Sequence, residues 1–339
     1  MRFNASMRRW TNLALLLLAP SAFLTGWLAF SFGTAAARWS LLAHIVSGYG
    51  LLLLAPWKSV IAAHGIRRRA RFWWASLTFS GLVILSLAAG ILHSTGLLRS
   101  AGDFTAMEVH VGAAIAAVPF GVWHVLARRV PARAADLSRR SMLRAGKLLA
   151  GAGLAYAASE GLVRVAGLPG SGRRFTGSYE VASFQPASMP VTQWLFDAVP
   201  KVDITGWRLQ VTSDGHLREW TYDELAAFDD RVIATLDCTG GFYTTQRWTG
   251  VWLSRLLRPA GALSVRVCSQ TGYDRRFSVE DMPRILLATR VGESPLSSGN
   301  GFPVRLVAAG RRGFWWVKWV SRIEADNIPV FWQLPFPVQ

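Results

Sequence analysis

Cysteine is scarce in this sequence: its 339 residues include only Cys238 and Cys268. Two thiols cannot form the dense disulfide framework of a small secreted domain, although one disulfide between them stays open. The interpretation we favour is one functional thiolate and one small buried side chain. Internal repeats and low-complexity tracts are also lacking, so the length corresponds to two domains of ordinary size.

Acidic residues are few as well, because 20 Asp and Glu stand against 37 Lys and Arg. A nucleic-acid-binding protein should gather its basic residues into one contiguous face. Here they cluster instead at 2–9, 67–71 and 128–147, in alternate loops between apolar segments. That is the positive-inside pattern of a membrane protein. We therefore predict membrane lipid, and no nucleic acid, as a partner.

Four apolar segments lie at roughly 11–32, 39–63, 72–98 and 105–127. Each meets the requirement of about 20 mostly apolar residues for crossing a bilayer. The basic clusters place the N-terminus on the cytoplasmic side. Residues 1–130 are thus predicted to form an all-α transmembrane helical bundle in the cytoplasmic membrane of a bacterium.

Residues 131–170 are predicted to carry the chain outward. The segment Ser138–Arg144 contains paired arginines and resembles a twin-arginine export signal. An ordinary cytoplasmic arginine cluster is the alternative. The weakly apolar stretch 147–168 would then be a fifth transmembrane helix. This topology places residues 171–339, the last domain, on the periplasmic or extracellular face.

Five of the six histidines lie in or beside the apolar segments, namely His44, His64, His93, His110 and His124. Ionisable residues inside a membrane span are candidates for a functional site. His110 and His124 are 14 residues apart, so both rings share one helix face about 21 Å apart. This segment resembles the fourth helix of the dihaem cytochrome b subunits of formate dehydrogenases and hydrogenases.

The resemblance implies b-type haem, with two haems as the simplest assignment. An outer haem would lie between His44 and His110, and an inner haem between His64 and His124. Twenty residues separate His44 from His64, which puts them on opposite faces of a straight helix unless Pro56 rotates the lower half. His93 is an alternative ligand. A single haem, or histidines that only cap helices, stay open.

The remaining sequence mixes short strands with few helices. Val202–Val211 and Val265–Ser269 have the β-branched pattern of strands, and Thr221–Phe228 begins like a capped helix. Glycines separate these segments as turns would. An α+β domain is therefore predicted over 171–339.

An apolar run from Ala234 ends at Cys238, which is followed by Thr-Gly-Gly and then by Trp-Thr-Gly-Val at 248–251. Glycines let the backbone turn tightly and expose the sulfur. This pattern resembles the sulfite oxidase family of molybdopterin enzymes, in which a cysteine thiolate binds molybdenum. The resemblance implies that Cys238 is the metal ligand and the catalytic centre of a sulfite-oxidase-type domain.

A second motif points to the same family. Residues 300–307 spell NGFPVRLV, which resembles the family's Asn-Gly-x-Pro-x-Arg-Leu-Val, and Lys318 follows Arg305 by thirteen residues. The resemblance implies that Asn300, Arg305 and Lys318 hold the pterin and its phosphate, with Ser269 supplying a hydroxyl. A guanidinium and an ammonium suit that role. Ordinary surface charge is the alternative for both cations.

The motifs say less about substrate. Sulfite-oxidising members carry Asn-Arg-Arg just after the metal cysteine, whereas this chain has Gly241-Phe242-Tyr243. The departure favours the branch of periplasmic methionine sulfoxide reductases, with methionine sulfoxide or another small molecule as substrate and sulfite as the alternative. Arg247, Arg275 or Arg276 could restore the missing positive charge.

Together these features predict a molybdenum-dependent oxidoreductase that performs oxo transfer outside the membrane and exchanges electrons with the quinone pool through b-type haem. One alternative is a molybdoenzyme on a haem-free anchor that is served by a separate electron carrier. The other is a non-catalytic binding module held on a membrane anchor.

Overall fold

The computed structural model describes residues 5–67, 73–102, 104–131, 133–194, 197–259 and 261–334. Of the side chains of residues 64–67 nothing is described, so the prediction for His64 falls outside the described residues. The chain divides into two compact units, Met1–Ser178 and Tyr179–Gln339. Each unit is considered by itself.

The first unit is helical. Its helices are α1 (Ala5–Ser31), α2 (Ala37–Arg67), α3 (Trp73–Thr95), α4 (Ala106–Ala127) and α5 (Arg139–Val165). A two-residue hairpin of β1 (Ser100–Ala101) and β2 (Phe104–Thr105) precedes α4. The first helix packs on the second, the third on the fourth, and α5 on α2. The four predicted apolar helices are confirmed as helices, and all four are long and apolar enough to cross a membrane.

Polar contacts define the ends of these helices. Thr105 caps α4 by accepting the Glu108 amide at 3.1 Å, while the Glu108 carboxylate accepts the Thr105 amide at 2.7 Å. Arg9 binds Asp136 through Nε at 2.7 Å and Nη2 at 2.6 Å, and this contact lowers the pKa of Asp136 to about 2. The start of α1 and the segment after α4 thus meet.

The fifth helix departs from its predicted bounds. It begins at Arg139, where Ser138 caps it, rather than at 147, so the arginine pair lies in its first turn. It is not among the described helices apolar enough to cross a membrane, because its charged residues interrupt it. One face packs on α2, with Ala152 fully buried. A fifth crossing remains a prediction.

The second unit is built mainly from strands. They are β3 (Tyr179–Glu180), β4 (Leu209–Ser213), β5 (His216–Trp220), β6 (Asp230–Asp237), β7 (Phe242–Trp252), β8 (Ser264–Ser269), β9 (Asp274–Ser278), β10 (Ile285–Val291), β11 (Ser294–Pro295), β12 (Arg305–Ala308) and β13 (Val320–Asp326). Two short helices, α6 (Tyr222–Ala226) and α7 (Leu253–Leu256), lie among them. This composition agrees with the predicted α+β class.

The strands form two sheets. One has the order β11-β10-β7-β3, with β12 also paired to β10 and β6 to β7, and the other has the order β5-β4-β13-β8-β9. Most neighbours are antiparallel, while β3 with β7 and β4 with β13 are parallel. The long hairpin of β6 and β7 ends at the loop that contains Cys238.

Packing explains one glycine of the Trp-Thr-Gly-Val motif. A Cβ at Gly250 would lie 1.9 Å from the Leu287 carbonyl oxygen on β10, so no side chain fits between these strands. The predicted strand over Val202–Val211 is wrong over its first seven residues, since β4 begins only at Leu209. Asp203 Oδ1 there accepts the Thr205 amide at 3.0 Å and its hydroxyl at 2.7 Å, which favours a turn.

Candidate active site

Cys238 lies in a tight turn between two antiparallel strands, immediately after β6. Its amide donates to the Phe242 carbonyl at 2.8 Å, and the Gly241 amide donates to the Cys238 carbonyl at 3.2 Å. Gly241 has φ +100°, a conformation that glycine adopts without strain. The Gly240 amide lies 3.4 Å from the sulfur. The glycines therefore turn the chain around the thiol, as the sequence predicts.

The surroundings of the Cys238 sulfur act on its pKa in both directions. Burial raises the pKa of the thiol, although the residue as a whole is only half-buried. The Gly240 amide, the Thr192 hydroxyl 3.7 Å away and the charge of Arg312 favour the thiolate. Thr192 lies in a loop without a motif, so no sequence pattern predicts its contact with Cys238. A metal bound to the sulfur would favour the thiolate far more than these groups do.

Arg305 is a core residue and not ordinary surface charge. It begins β12, is 2% exposed, and donates through Nη1 to the Asn300 carbonyl at 3.1 Å. Its guanidinium carbon lies 5.4 Å from the Trp248 ring centre and 5.7 Å from that of Trp316. Burial lowers the pKa of Arg305 to about 10. Its buried Nε has no hydrogen-bond partner among the described residues, and such an atom calls for a ligand.

Lys318 reaches the same region. Its ammonium donates to the carbonyls of Thr192 at 2.7 Å and Gly299 at 2.6 Å, and to Gln193 Oε1 at 3.0 Å. Burial, together with the nearby charge of Arg305, lowers the pKa of Lys318 to about 7, whereas Cys238 and Asp197 act to raise it. An ammonium beside neutral oxygens would gain from a phosphate.

The glycine of the NGFPVRLV motif brings the two cations together. Gly301 has φ +108°, and a Cβ built on it would lie 3.0 Å from the Arg305 Cβ and 3.3 Å from the Lys318 Cβ. Asn300, which is buried, ends the short 3-10 turn before it. The sequence motif and the separate lysine thus form one cluster.

Ser269 borders this cluster at the end of β8. Its hydroxyl lies 2.9 Å from the Thr271 hydroxyl and accepts the Thr271 amide at 3.2 Å. The neighbouring Gln270 amide donates to the Trp319 carbonyl, next to Lys318. The described hydrogen bonds of the Ser269 hydroxyl are therefore with its own turn, and the role of Ser269 towards the cofactor stays a prediction.

The sequence offers three arginines, Arg247, Arg275 and Arg276, that could supply positive charge near Cys238. Arg276 forms a salt bridge with Asp326 and donates to the Ser264 hydroxyl at 2.9 Å. Arg275 lies over the ring of Trp315, and Arg247 is exposed. None of them has a described hydrogen bond or ion pair with the cysteine turn.

Arg312 makes that contact instead. Its Nη2 donates to the Cys238 carbonyl at 3.1 Å, and its Nε lies 3.2 Å from Asp237 Oδ1. Both side chains of this ion pair are almost fully buried. The only sequence signal is an Arg-Arg pair before Gly313, which resembles a surface turn.

In the helical unit, the predicted outer haem ligands lie close together. The rings of His44 and His110 have centroids 5.7 Å apart and are nearly perpendicular. A metal–imidazole bond is about 2 Å long, so two rings on opposite faces of one iron have centroids about 6 Å apart. His44 Nδ1 lies 2.8 Å from the Ala22 carbonyl and His110 Nδ1 2.7 Å from the Ser86 carbonyl. That arrangement leaves Nε2 of both rings for a metal.

Small residues make this proximity possible. A Cβ at Gly26 would lie 2.7 Å from His44 Nδ1, and one at Gly90 would lie 2.9 Å from His110 Nδ1. Each glycine therefore lets a helix approach a ring more closely than any other residue would. The two rings lie close enough together that they could hold one metal between them.

The other histidines have different surroundings. His93 is buried, and its Nε2 lies 2.7 Å from the Gly177 carbonyl, so a described contact already engages the nitrogen that a haem would need. His124 Nδ1 lies 3.1 Å from the Ser76 hydroxyl, and its ring stacks on Phe79. The inner pair of His124 with His64 stays a prediction.

Comparisons with known proteins find matches in the second unit. Residues 196–330 match the family model described as "Oxidoreductase molybdopterin binding domain". Mitochondrial sulfite oxidase of Rattus norvegicus is 27% identical over 38% of this chain and 31% of its own length. Nitrate reductase [NAD(P)H] of Hordeum vulgare is 29% identical over 37% of this chain and 19% of its own.

Among solved structures, the sulfane dehydrogenase SoxCD of Paracoccus pantotrophus matches 39% of this chain and 41% of its own, at 23% identity and a TM-score of 0.37. The matched region spans about a third or less of the curated relatives named above. Residues 196–330 are thus similar to an oxidoreductase molybdopterin-binding domain, and part of the chain is similar to sulfite oxidases.

The two cysteines should respond differently to replacement by serine. Cys238→Ser should abolish turnover, because a hydroxyl is a poor substitute for a soft thiolate ligand. Cys268→Ser should leave activity intact and cost about 1–2 kcal/mol of stability, because its sulfur is buried on β8. Steady-state assays and thermal unfolding of both variants test this. Near-normal turnover in Cys238→Ser would contradict the assignment.

The low pKa of Lys318 predicts a pH dependence in cofactor-free protein. Because this pKa falls from 10.5 to about 7 on folding, the unfolded state binds more protons than the folded state between these values. Stability should therefore rise with pH across the window, by at most about 1.4 kcal/mol per pH unit. Unfolding midpoints from about pH 6 to 9 test this in protein from a host that makes no molybdopterin. The difference in stability between wild type and Lys318→Met should change with pH across this window, because only wild type has the titrating ammonium. A difference that stays constant with pH would contradict the prediction.

Proposed function

We propose that this chain is a membrane-bound, molybdenum-dependent oxidoreductase that performs oxo transfer outside the cytoplasmic membrane. The observation that carries the proposal is the cluster around Cys238. One thiol in a glycine turn has two cations near it, the buried Arg305 and the half-buried Lys318. The family match over residues 196–330 supports the same cofactor.

The residues of the cluster fit the parts of molybdopterin. The Cys238 sulfur offers a soft ligand to the metal. Arg305 has a buried Nε–H that can donate a hydrogen bond. Lys318 has an ammonium, and a nearby phosphate oxygen would stabilise its protonated form. When bound, the cofactor supplies a two-electron transfer of an oxygen atom. The protein's part is to hold it, to orient the thiolate and to keep Arg305 out of water.

For the substrate we propose a sulfoxide, with methionine sulfoxide as the first to test and sulfite as the second. The turn has Gly241-Phe242-Tyr243 where sulfite-oxidising relatives have two arginines, and the described contacts of Arg276 lie elsewhere. A neutral sulfoxide needs no such charge. An anionic sulfite would gain from it.

We also propose that the helical unit carries b-type haem and exchanges electrons with the quinone pool. The His44 and His110 pair is the support for an outer haem. Four helices that could cross a membrane, and the contact of Arg9 with Asp136, support a bundle with both ends on one side. Export by the arginine pair Arg139 and Arg140 would place the catalytic unit on the other side.

Cofactor analysis of the purified full chain tests the function. We expect about one molybdenum per polypeptide, haem absorbance of the b type, and turnover with a sulfoxide under reducing conditions or with sulfite under oxidising conditions. Molybdenum without haem would leave a molybdoenzyme on a plain anchor. Protein with neither cofactor would contradict the enzyme and leave a binding module.

Histidine variants test the haem assignment. His44→Ala and His110→Ala should each remove the same outer haem, because each supplies one of its two axial bonds. His93→Ala should retain all haem absorbance, because its ring bonds to Gly177. Pyridine haemochrome absorbance of each variant measures haem per polypeptide. Loss of haem in His93→Ala with retention in His44→Ala would overturn the pairing.

A further inference from the structure

The ion pair of Asp237 and Arg312 surrounds the backbone of the proposed metal ligand. Arg312 contacts Asp237 twice, through the carboxylate at 3.2 Å and through the carbonyl at 3.3 Å, and it contacts the Cys238 carbonyl at 3.1 Å. The side chains are 3% and 1% exposed. The bonded atoms therefore lie on both sides of the peptide bond that enters Cys238.

The residue after Arg312 packs on the same backbone. A Cβ at Gly313 would lie 3.1 Å from the Cys238 Cα and 3.5 Å from the Asp237 carbonyl oxygen. An isolated parallel bridge also pairs Asp237 with Arg312. The Arg312 segment is thus in direct contact with the cysteine turn through side chain and main chain.

We infer that Arg312 is a positioning residue, which with Asp237 fixes the Cys238 turn in the conformation that accepts the metal. This inference rests on the proposed molybdopterin site. The guanidinium is planar and rigid, so it can hold two carbonyls and a carboxylate in one geometry, which an ammonium cannot. Its charge also balances the Asp237 carboxylate, which is buried one residue before the thiol.

A second ion pair in the same unit provides a matched control. Arg276 is 8% exposed, pairs with Asp326, and bonds to Ser264. Its described contacts do not include the Cys238 turn. Removing either arginine leaves a carboxylate without its buried partner, so both changes should lower stability. Only the Arg312 change should affect the metal ligand.

The experiment measures loss of molybdenum from the full-length protein during dialysis against a chelator. Arg312→Met should lose the metal about 10- to 100-fold faster than wild type, the range for residues that support a metal ligand. Arg312→Lys keeps the positive charge but lacks the planar guanidinium. Compared with Arg312→Met, it should restore thermal stability more fully than it restores metal retention. Arg276→Met should lower the unfolding midpoint and retain the metal within about twofold. The Mo(V) electron paramagnetic resonance signal should change shape only in the Arg312 variants.

Two outcomes would overturn the inference. One is an Arg312→Met protein that retains metal and spectrum like wild type. The other is an Arg276→Met protein that loses metal as fast as Arg312→Met does. Metal loss would then be explained by lower stability of the whole domain. If Arg312→Met does not fold, the double variant D237N/R312Q removes both charges and answers the same question. Wild-type protein without molybdenum would instead refute the proposed function itself.

Discussion

The hairpin turn between β6 and β7 determines where the single thiol of the site lies. The Cys238 amide bonds to the Phe242 carbonyl, and Gly241 reverses the chain in a left-handed conformation. From outside the hairpin, Arg312 bonds to the Cys238 carbonyl. The backbone of Cys238 is thus held at both its amide and its carbonyl. The residue therefore loses little conformational freedom when its thiol binds a metal, and this favours binding.

The two cations of the site, Arg305 and Lys318, are largely removed from water, which strengthens their interaction with any nearby negative charge. The guanidinium of Arg305 packs against both Trp248 and Trp316, whose rings also contact each other, and burial lowers the pKa of Lys318 to about 7. Keeping cations in such a site costs free energy unless an opposite charge compensates. A thiolate–metal centre and a phosphate would supply that compensation. The lowered pKa values reflect the free-energy cost of burying these cations, and such a cost is expected in a site that binds an anionic cofactor.

Local patterns predicted some of this structure well. The apolar helices and the cysteine turn depend on hydrophobicity and glycine, which a sequence displays directly. The strand predicted over 202–208 was wrong because the Asp203 side chain accepts the Thr205 amide and so favours a turn there. Arg312 and Thr192 reach Cys238 only through tertiary folding, across 74 and 46 residues, so no local pattern could have identified them. The charged residues of α5 are also visible in the sequence, and with them α5 is not among the described helices that are apolar enough to cross a membrane.

A sulfur ligand from the protein to molybdenum is the central claim for this chain. X-ray absorption at the molybdenum edge counts that ligand directly, without a substrate and without turnover. The purified full chain should show one more sulfur neighbour at the metal than its Cys238→Ser variant, with the remaining sulfur ligands unchanged. Identical sulfur coordination in the two proteins, each with molybdenum bound, would contradict the assignment of Cys238.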